Sequence, residues 1–400
     1  MMDINVLIEQ RFTNVSMCFL LALSLTVSWT VHAEVPVDRM PDSLSLPASY
    51  PDSWVFVYTV PQKDNEILGA YAIVDVAAAT KEIKGQFQGA YWSSLIVPTA
   101  GPEFFVAESF LERVGHGART DVITITDKSH LTPVAEIALP GAKRGIMAGN
   151  LMDVSHDGEF MLLFNFTPAA SVSVVDLRKR KLVSEVPVPG CTSVYPSGKR
   201  GFSSLCGDGT LVTIALGENG QVLHESRSTA FNDIDNDVLF VEPAMTGSTS
   251  YFVTAKGTVR ALDTANETVK IQPAWPLITA EEVTDGWRTS GGRLVAVDGN
   301  GRLYVRVYRE TGYDEQLKDN TEVWVFDTTS TKRLGRIPLK NGGGSIEVTR
   351  GRNPYLVAVA ESDASAGESL DVYDASTGVY LRTIGGWWPG TSLNLIQARR

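Results

Sequence analysis

Apolar and polar residues alternate in a short phrase that recurs seven times along the chain. Each phrase is an apolar strand of period two, usually ending in Asp and followed by a polar turn and a second strand. The phrases, each with its last residue, are YAIVD (Asp75), VITITD (Asp127), VSVVD (Asp176), LVTIAL (Leu216), VRALD (Asp263), VWVFD (Asp327) and LDVYD (Asp374). The intervals between these marks are 52, 49, 40, 47, 64 and 47 residues. Such repeats of short strands are typical of propellers, whose small sheets bury their faces against one another. The pattern therefore predicts an all-β protein, a seven-bladed β-propeller.

The two ends of the repeat region predict how the ring closes. Strand candidates at residues 54–60 and 392–397 are expected to pair in one blade, which removes two exposed sheet edges. The longest interval also contains a helix start, because Thr279 and Glu282 have the spacing of a capping box.

The first 33 residues predict a secretory signal peptide. An apolar run from Met17 to Ser28 precedes the small-x-small sequence Val31-His32-Ala33, which predicts cleavage before Glu34. The run is too short to span a bilayer as a helix. We therefore expect a secreted protein whose residues 34–400 form one propeller domain. An uncleaved anchor is the alternative, and translation could begin at Met1, Met2 or Met17.

The charge of the chain argues against two classes of partner. The net charge is −11, and removal of the leader takes away one basic and two acidic residues, which leaves −10. An acidic chain without a basic cluster is not typical of proteins that bind nucleic acid or anionic membranes. The basic run from Arg178 to Lys181 lies between two predicted strands, so we expect a solvated hairpin tip.

Cysteine usage agrees with export. Cys191 and Cys206 flank a predicted hairpin whose turn is Pro196-Ser197-Gly198-Lys199. Two thiols placed symmetrically about a turn in an oxidising compartment predict a disulfide across adjacent strands. A metal-binding or reactive thiol pair is the alternative.

Catalytic motifs are absent from the sequence. It contains no HExxH, no P-loop, no GxGxxG after a strand and no GxSxG. The histidines after the leader are isolated in sequence, and we expect structural roles for them: His116, His130, His156 and His224. The absence of these motifs argues against a free-standing hydrolase or quinoprotein.

Several stretches are similar to the heavy (large) subunit of the quinoprotein amine dehydrogenases, the methylamine and aromatic amine dehydrogenases of the bacterial periplasm. The longest of them are Gly115–Asp121, Ser155–Asp176 and Gly190–Gly220, and the similarity continues through 225–228 and 280–287. The Cys206-Gly-Asp-Gly and Leu216-GENG segments resemble the aromatic-amine branch more closely.

The resemblance implies a periplasmic heterotetramer of two heavy and two light chains that oxidises primary, aromatic amines to aldehydes. The cofactor, tryptophan tryptophylquinone, would be on the light chain, and the electrons would pass to a small copper protein. This chain would be the scaffold subunit, with no catalytic, cofactor-binding or metal-binding residues of its own.

One site residue follows from the resemblance. In Gly85-Gln-Phe87-Gln-Gly89, Phe87 matches the heavy-chain Phe that reaches into the substrate channel at the subunit boundary. A Phe that packs between blades is the alternative. At the level of the whole protein, the alternative is an orphan secreted propeller that binds a protein or ligand without catalysis. The sequence leaves open which amine is oxidised, which protein accepts the electrons and whether a light chain exists.

Overall fold

The computed structural model describes residues 45–61, 68–80, 82–90, 93–113, 116–141, 151–289, 291–310, 321–360, 369–385 and 391–397. These residues form seven antiparallel sheets, the blades of a β-propeller. The prediction of a seven-bladed, all-β fold is confirmed. The predicted signal peptide and its cleavage point lie outside the described residues. Among the described residues, no helix has the length and apolar character needed to cross a membrane.

The strands of each blade are named from the innermost, next to the axis, to the outermost. Blade 1 contains β30 (Thr391–Gln397), β1 (Trp54–Pro61), β2 (Leu68–Asp75) and β3 (Ile83–Ala90). Blade 2 contains β4 (Ser94–Ile96), β5 (Glu103–Arg113), β6 (His116–Asp127) and β7 (Pro133–Ala138). Blade 3 contains β8 (Met152–Val154), β9 (Phe160–Asn165), β10 (Ser171–Asp176) and β11 (Lys181–Pro187). Blade 4 contains β12 (Cys191–Pro196), β13 (Gly201–Cys206), β14 (Leu211–Leu216) and β15 (Val222–Arg227).

The remaining three blades include two with divided strands. Blade 5 contains β16 (Ala244–Thr246), β17 (Thr249–Val253), β18 (Thr258–Asp263), and β19 (Lys270–Ile271) and β20 (Trp275–Pro276), which both pair with β18. Blade 6 contains β21 (Trp287–Thr289) and β22 (Val295–Val297), both paired with β23 (Arg302–Arg309), then β24 (Thr321–Asp327) and β25 (Arg333–Pro338). Blade 7 contains β26 (Ile346–Val348), β27 (Tyr355–Ala360), β28 (Ser369–Asp374) and β29 (Tyr380–Ile384).

The recurring phrase of the sequence is the third strand of every blade. Its final Asp accepts backbone N–H groups from the turn that follows, as Asp127 does from Ser129 and His130 and as Asp374 does from Ser376 and Thr377. An Asp side chain that bonds the backbone two or three residues ahead mimics a backbone turn. The repeated Asp therefore begins the hairpin to the outermost strand.

Apolar packing between the blades holds the ring together. Among the described residues, seven clusters of buried apolar side chains occur, one at each contact between neighbouring blades. The cluster that joins blade 7 to blade 1 contains Val55, Val57, Val357 and Leu370. Successive side chains of a strand point to opposite faces of its sheet, and a neighbouring blade covers each face. Strands such as β9 and β10 are therefore buried throughout.

Three local predictions are confirmed. The last strand, β30, pairs with β1, so that Val55 lies opposite Gln397 and the ring closes within blade 1. A short helix, α1 (Ala280–Thr284), begins with the expected capping box between Thr279 and Glu282. The turn at residues 177–180 is a hairpin tip, where the Lys179 ammonium pairs with Asp176 and the Arg180 guanidinium pairs with Glu103.

Candidate functional site

Phe87 belongs to an aromatic ladder on one face of blade 1. Tyr58 of β1 lies opposite Tyr71 of β2, and Tyr71 lies opposite Phe87 of β3, so the three side chains share a face of the sheet. The ring centroids of Tyr71 and Phe87 are 4.9 Å apart and nearly parallel. From blade 2, the Phe104 ring comes within 4.8 Å of Phe87. The half-buried Phe87 ring therefore lies at the contact between blades 1 and 2.

Two glycines make room for this ladder. Gly69 of β2 lies opposite Gly89 of β3. A Cβ atom on Gly69 would lie 2.1 Å from the hydroxyl of Tyr58, and one on Gly89 would lie 2.8 Å from the ring of Tyr71. The tyrosine rings thus occupy the space where side chains of these positions would stand, which fixes both residues as glycine.

The end of β3 is held by side chains from both blades. The Glu108 carboxylate of β5 accepts the backbone N–H of Ala90 at 2.7 Å. The Tyr58 hydroxyl donates to the carbonyl oxygen of the same residue at 3.2 Å. The Thr124 hydroxyl of β6 donates to the second oxygen of Glu108. Both backbone groups of Ala90 are therefore satisfied by side chains.

Burial raises the pKa of Glu108 above its usual range, although the Thr124 hydroxyl and the Ala90 N–H favour the ionised form and oppose this effect. The Glu136 carboxylate of β7 adds a smaller contribution in the same direction as burial. Burial also raises the pKa of Tyr71, whose hydroxyl forms a hydrogen bond with Ser93 at 2.8 Å. A buried acid, Glu108, thus lies close to the two buried phenols of the aromatic ladder.

This arrangement bears on the predicted site residue. Phe87 does pack between blades, which was the alternative role, and its partial exposure leaves part of the ring accessible. Its place in a substrate channel stays a prediction. Glu108 was not predicted from the sequence. An acidic residue directly after the apolar run Phe104–Ala107 was the available signal, because a carboxylate inside a buried strand requires partners.

A second candidate is a cavity of about 570 Å³ on the axis of the ring. Residues from the inner strands of blades 3 to 7 and from their adjoining turns line it, and its volume lies in the range of small-molecule sites. Its charged lining residues are bonded within the protein. Arg293 pairs with Glu347 at 2.9 Å, and Arg350 donates to the carbonyl oxygen of Met245 at 2.8 Å. The second bond links blade 7 to blade 5 across the cavity.

The mouth of the axial cavity contains a polar cluster. The Ser155 hydroxyl donates to Asp157, which pairs with the Arg200 guanidinium at 2.6 Å. The His156 Nδ1 lies 2.7 Å from the carbonyl oxygen of Gly198, so this nitrogen carries the proton. These bonds fix the turns beside the cavity. The His156 imidazole is bonded to a backbone carbonyl and not to the neighbouring Ser155 hydroxyl, which donates to Asp157 instead. The lining residues thus include no hydroxyl nucleophile bonded to a histidine base.

The predicted disulfide is present. It joins Cys191 of β12 to Cys206 of β13, which lie directly opposite each other in the register of the two strands. The bond lies within the apolar cluster between blades 3 and 4. In the part of the chain that the structure describes, no three His, Cys, Asp or Glu residues come together as a metal-binding group.

Solved structures share the fold of this chain. The β-propeller domain of Cps50 (Swd1) from Myceliophteria thermophila has a TM-score of 0.51 at 10% identity, over 83% of this chain and 98% of its own. A protein from Lactobacillus plantarum has a TM-score of 0.54 at 11% identity, over 86% of this chain and 100% of its own. At these identities the similarity shows the propeller architecture alone.

Sequence comparison is more specific. The profile of the family described as methylamine dehydrogenase heavy chain (MADH) matches residues 59–393. The methylamine dehydrogenase heavy chain of Methylorubrum extorquens is 26% identical over 334 residues, which are 82% of this chain and 79% of that protein. The heavy chain of Paracoccus versutus is 27% identical over 321 residues, which are 77% of this chain and 72% of that protein.

The fold and the matched span define the class: the chain is a propeller subunit of an amine-oxidising dehydrogenase. It belongs to the methylamine dehydrogenase heavy chain family. The match runs from within β1 to within β30 and thus includes all seven blades. The resemblance identified from the sequence is confirmed at the level of the family.

Proposed function

We propose that this chain is the large, non-catalytic subunit of a periplasmic amine dehydrogenase. A light chain would carry tryptophan tryptophylquinone, which supplies the electron sink for oxidation of a primary amine to an aldehyde. Two heavy and two light chains would assemble, and a small copper protein would accept the electrons. The observation that carries the proposal is the family match over 59–393.

The role of the heavy chain in this proposal is to shape the entrance to the partner's cofactor. Phe87 is half-buried between two other aromatic rings, so its own orientation is restricted. An apolar ring at a subunit boundary excludes water and favours substrates of matching shape. Within the assembly, Phe87 would contact the side chain of the amine.

The proposed substrate is an aromatic primary amine. Support comes from the segments Cys206-Gly-Asp-Gly and Leu216-GENG, which resemble the aromatic-amine branch. The matched relatives are named for methylamine, so the experiment must compare the two substrate classes directly.

The proposed location is the periplasm. Residues 1–33 have the pattern of a secretory signal, and the Cys191–Cys206 disulfide is of the kind that persists in an oxidising compartment. N-terminal sequencing of the protein isolated from periplasm tests the proposed location. The expected first residue is Glu34, since cleavage is predicted before it.

The decisive experiment is the isolation of the tagged protein from its native periplasm, with mass spectrometry and a visible spectrum of the eluate. A small cysteine-rich chain that co-purifies, with a quinone absorption that bleaches on addition of an aromatic amine, is the expected result. A colourless propeller without a light chain would overturn the proposal in favour of an orphan binding module.

Phe87→Ala tests the proposed entrance in the assembled enzyme. We expect the ratio of kcat/KM for a bulky aromatic amine to kcat/KM for methylamine to change, because the variant removes an apolar wall, while the quinone spectrum stays the same. Phe166→Ala is the matched control, since Phe166 is a half-exposed Phe in blade 3. An unchanged ratio in Phe87→Ala would remove Phe87 from the entrance.

A further inference from the structure

We infer that Glu108 is a positioning residue that holds β3 in place and thereby sets the position of the Phe87 ring at the substrate entrance. The inference rests on the proposed function, since it assigns Glu108 a part in the substrate preference of the same site. It concerns a residue on blade 2 that acts on a strand of blade 1.

The first reason is the position of β3 in its sheet. It is the outermost strand of blade 1, so within the part of the chain that the structure describes its backbone ladder has a partner, β2, on one edge only. An outermost strand is the least restrained element of a blade, because its other edge has no strand to bond. On that side, Glu108 accepts the N–H of Ala90 at 2.7 Å.

The second reason is the short distance along the chain between the held residue and the ring. Ala90 is the last residue of β3, and Phe87 is three residues before it. Gly89, between them, lies against Tyr71 and Ser93 and has no space for a side chain. A movement of Ala90 is therefore transmitted to Phe87 through a short, closely packed piece of strand.

The third reason is the chemistry of the clamp. Glu108 is only 9% exposed, and its two oxygens accept different donors, the Ala90 N–H and the Thr124 hydroxyl. A buried carboxylate is costly unless its oxygens are bonded, so the side chain is held in one orientation by the same two donors that it restrains. The acid thus links the end of β3 to the body of blade 2.

Substitutions separate geometry from charge. In Glu108→Gln, the amide oxygen can still accept the Ala90 N–H, while the amide nitrogen donates to the Thr124 oxygen, so the clamp is retained without a charge. In Glu108→Ala, the Ala90 N–H loses its partner. Thr124→Val removes one of the two donors and leaves the contact to Ala90.

The test compares these variants in the assembled enzyme, with methylamine and 2-phenylethylamine as substrates. We expect Glu108→Ala to change the ratio of the two kcat/KM values by about tenfold, in the same direction as Phe87→Ala, because a misplaced apolar wall discriminates poorly. Glu108→Gln should stay within about twofold of the unmodified enzyme, and Thr124→Val should lie between the two. Combining Glu108→Ala with Phe87→Ala should add nothing to the effect of Phe87→Ala.

A destabilised control excludes a general loss of structure. Val174→Ala removes buried apolar volume from the cluster between blades 3 and 4. It should lower the stability of the enzyme and leave the substrate ratio unchanged. An unchanged ratio in Glu108→Ala, or equal ratios for the Ala and Gln variants, would overturn the inference.

Hydrogen exchange of the heavy chain alone distinguishes failure of this inference from failure of the proposed function. We expect faster exchange over residues 83–90 in Glu108→Ala, and exchange at the unmodified rate in Glu108→Gln. If the unmodified protein oxidises no amine, this result still shows whether Glu108 positions β3. Unchanged exchange in Glu108→Ala would refute the positioning role in either case.

Discussion

Replacement of Gly69 by Ala tests the packing that supports the aromatic ladder. The new methyl carbon would stand 2.1 Å from the Tyr58 hydroxyl oxygen and 2.3 Å from the ring carbon that carries it. Tyr58 is fully buried, and its ring centroid is 4.5 Å from that of Tyr71. The side chain of Tyr58 therefore has no empty space to move into, and either the ring or the backbone of β2 must shift.

The expected loss of stability has two parts. Insertion of a methyl group into a close-packed core costs about 1–3 kcal/mol. A displaced Tyr58 also loses the hydrogen bond from its hydroxyl to the carbonyl oxygen of Ala90, which contributes about 1 kcal/mol. Together these terms predict that Gly69→Ala lowers the free energy of unfolding by about 2–4 kcal/mol.

Urea denaturation of the heavy chain, followed by intrinsic fluorescence, measures this quantity. Gly335→Ala is the matched control, because Gly335 also lies in a strand, is exposed, and has no atom within 4 Å of the position of an added Cβ. We expect that control to stay within about 0.5 kcal/mol of the unmodified protein. In a double-mutant cycle with Tyr58→Leu, the two losses should be less than additive, since the shorter side chain vacates the space. A neutral Gly69→Ala, or strict additivity with Tyr58→Leu, would refute the packing argument.

Three further predictions concern other parts of the ring. The Ser376 hydroxyl and backbone N–H groups of the turn hold the pKa of Asp374 below its usual value of 3.8. The ionised carboxylate therefore stabilises the fold above pH 3.8, and this contribution is lost as the pH falls through the lower pKa of the folded state. Asp374→Asn should lack this loss, and acid titrations of the unfolding free energy for both proteins should converge below pH 3.8. Joint replacement of Cys191 and Cys206 by Ser should destabilise the protein by about 3 kcal/mol relative to the oxidised unmodified protein, in the chain-entropy description of a 15-residue loop. The reduced unmodified protein should behave like the variant. Arg336→Met should remove the cation that stands 4.6 Å from the ring centroid of Trp324 and 4.5 Å from that of Trp287, at a cost of about 1 kcal/mol. Tryptophan fluorescence of the folded state should change as well, and an identical spectrum and midpoint would contradict both contacts.

Much of the fold could be predicted because propellers repeat a local pattern. In six of the seven blades, the third strand combines an apolar run with an Asp that begins the next turn, and both signals lie within a few residues of each other in the sequence. The same holds for the hairpin that the Cys191–Cys206 disulfide spans and for the capping box of α1. Leu216 shows how the pattern varies, because blade 4 makes the equivalent turn with Gly217 and Gly220 in place of an Asp.

The sites were harder to predict because they depend on contacts between blades. Glu108 and Ala90 are 18 residues apart and belong to different sheets, so their hydrogen bond follows from how blade 2 packs on blade 1. The axial cavity depends on contacts between residues still further apart in the sequence, since Arg350 and Met245 come from blades that are separated by another blade. No periodicity in the sequence carries such information. Resemblance to a family predicted a site role for Phe87, and the structure describes the side chains that pack against its ring.

The pairing of β30 with β1 also determines the order in which the molecule can be completed. A ribosome produces the chain from the N-terminus, so β1, β2 and β3 exist long before the strand that completes their sheet. Until residues 391–397 arrive, the inner edge of β1 has no partner and the contact of Val55 with Gln397 cannot form. Pairings between such distant residues slow folding. The ring therefore cannot close around its axis before the whole of the last strand is available, so closure is the last step in the assembly of the propeller.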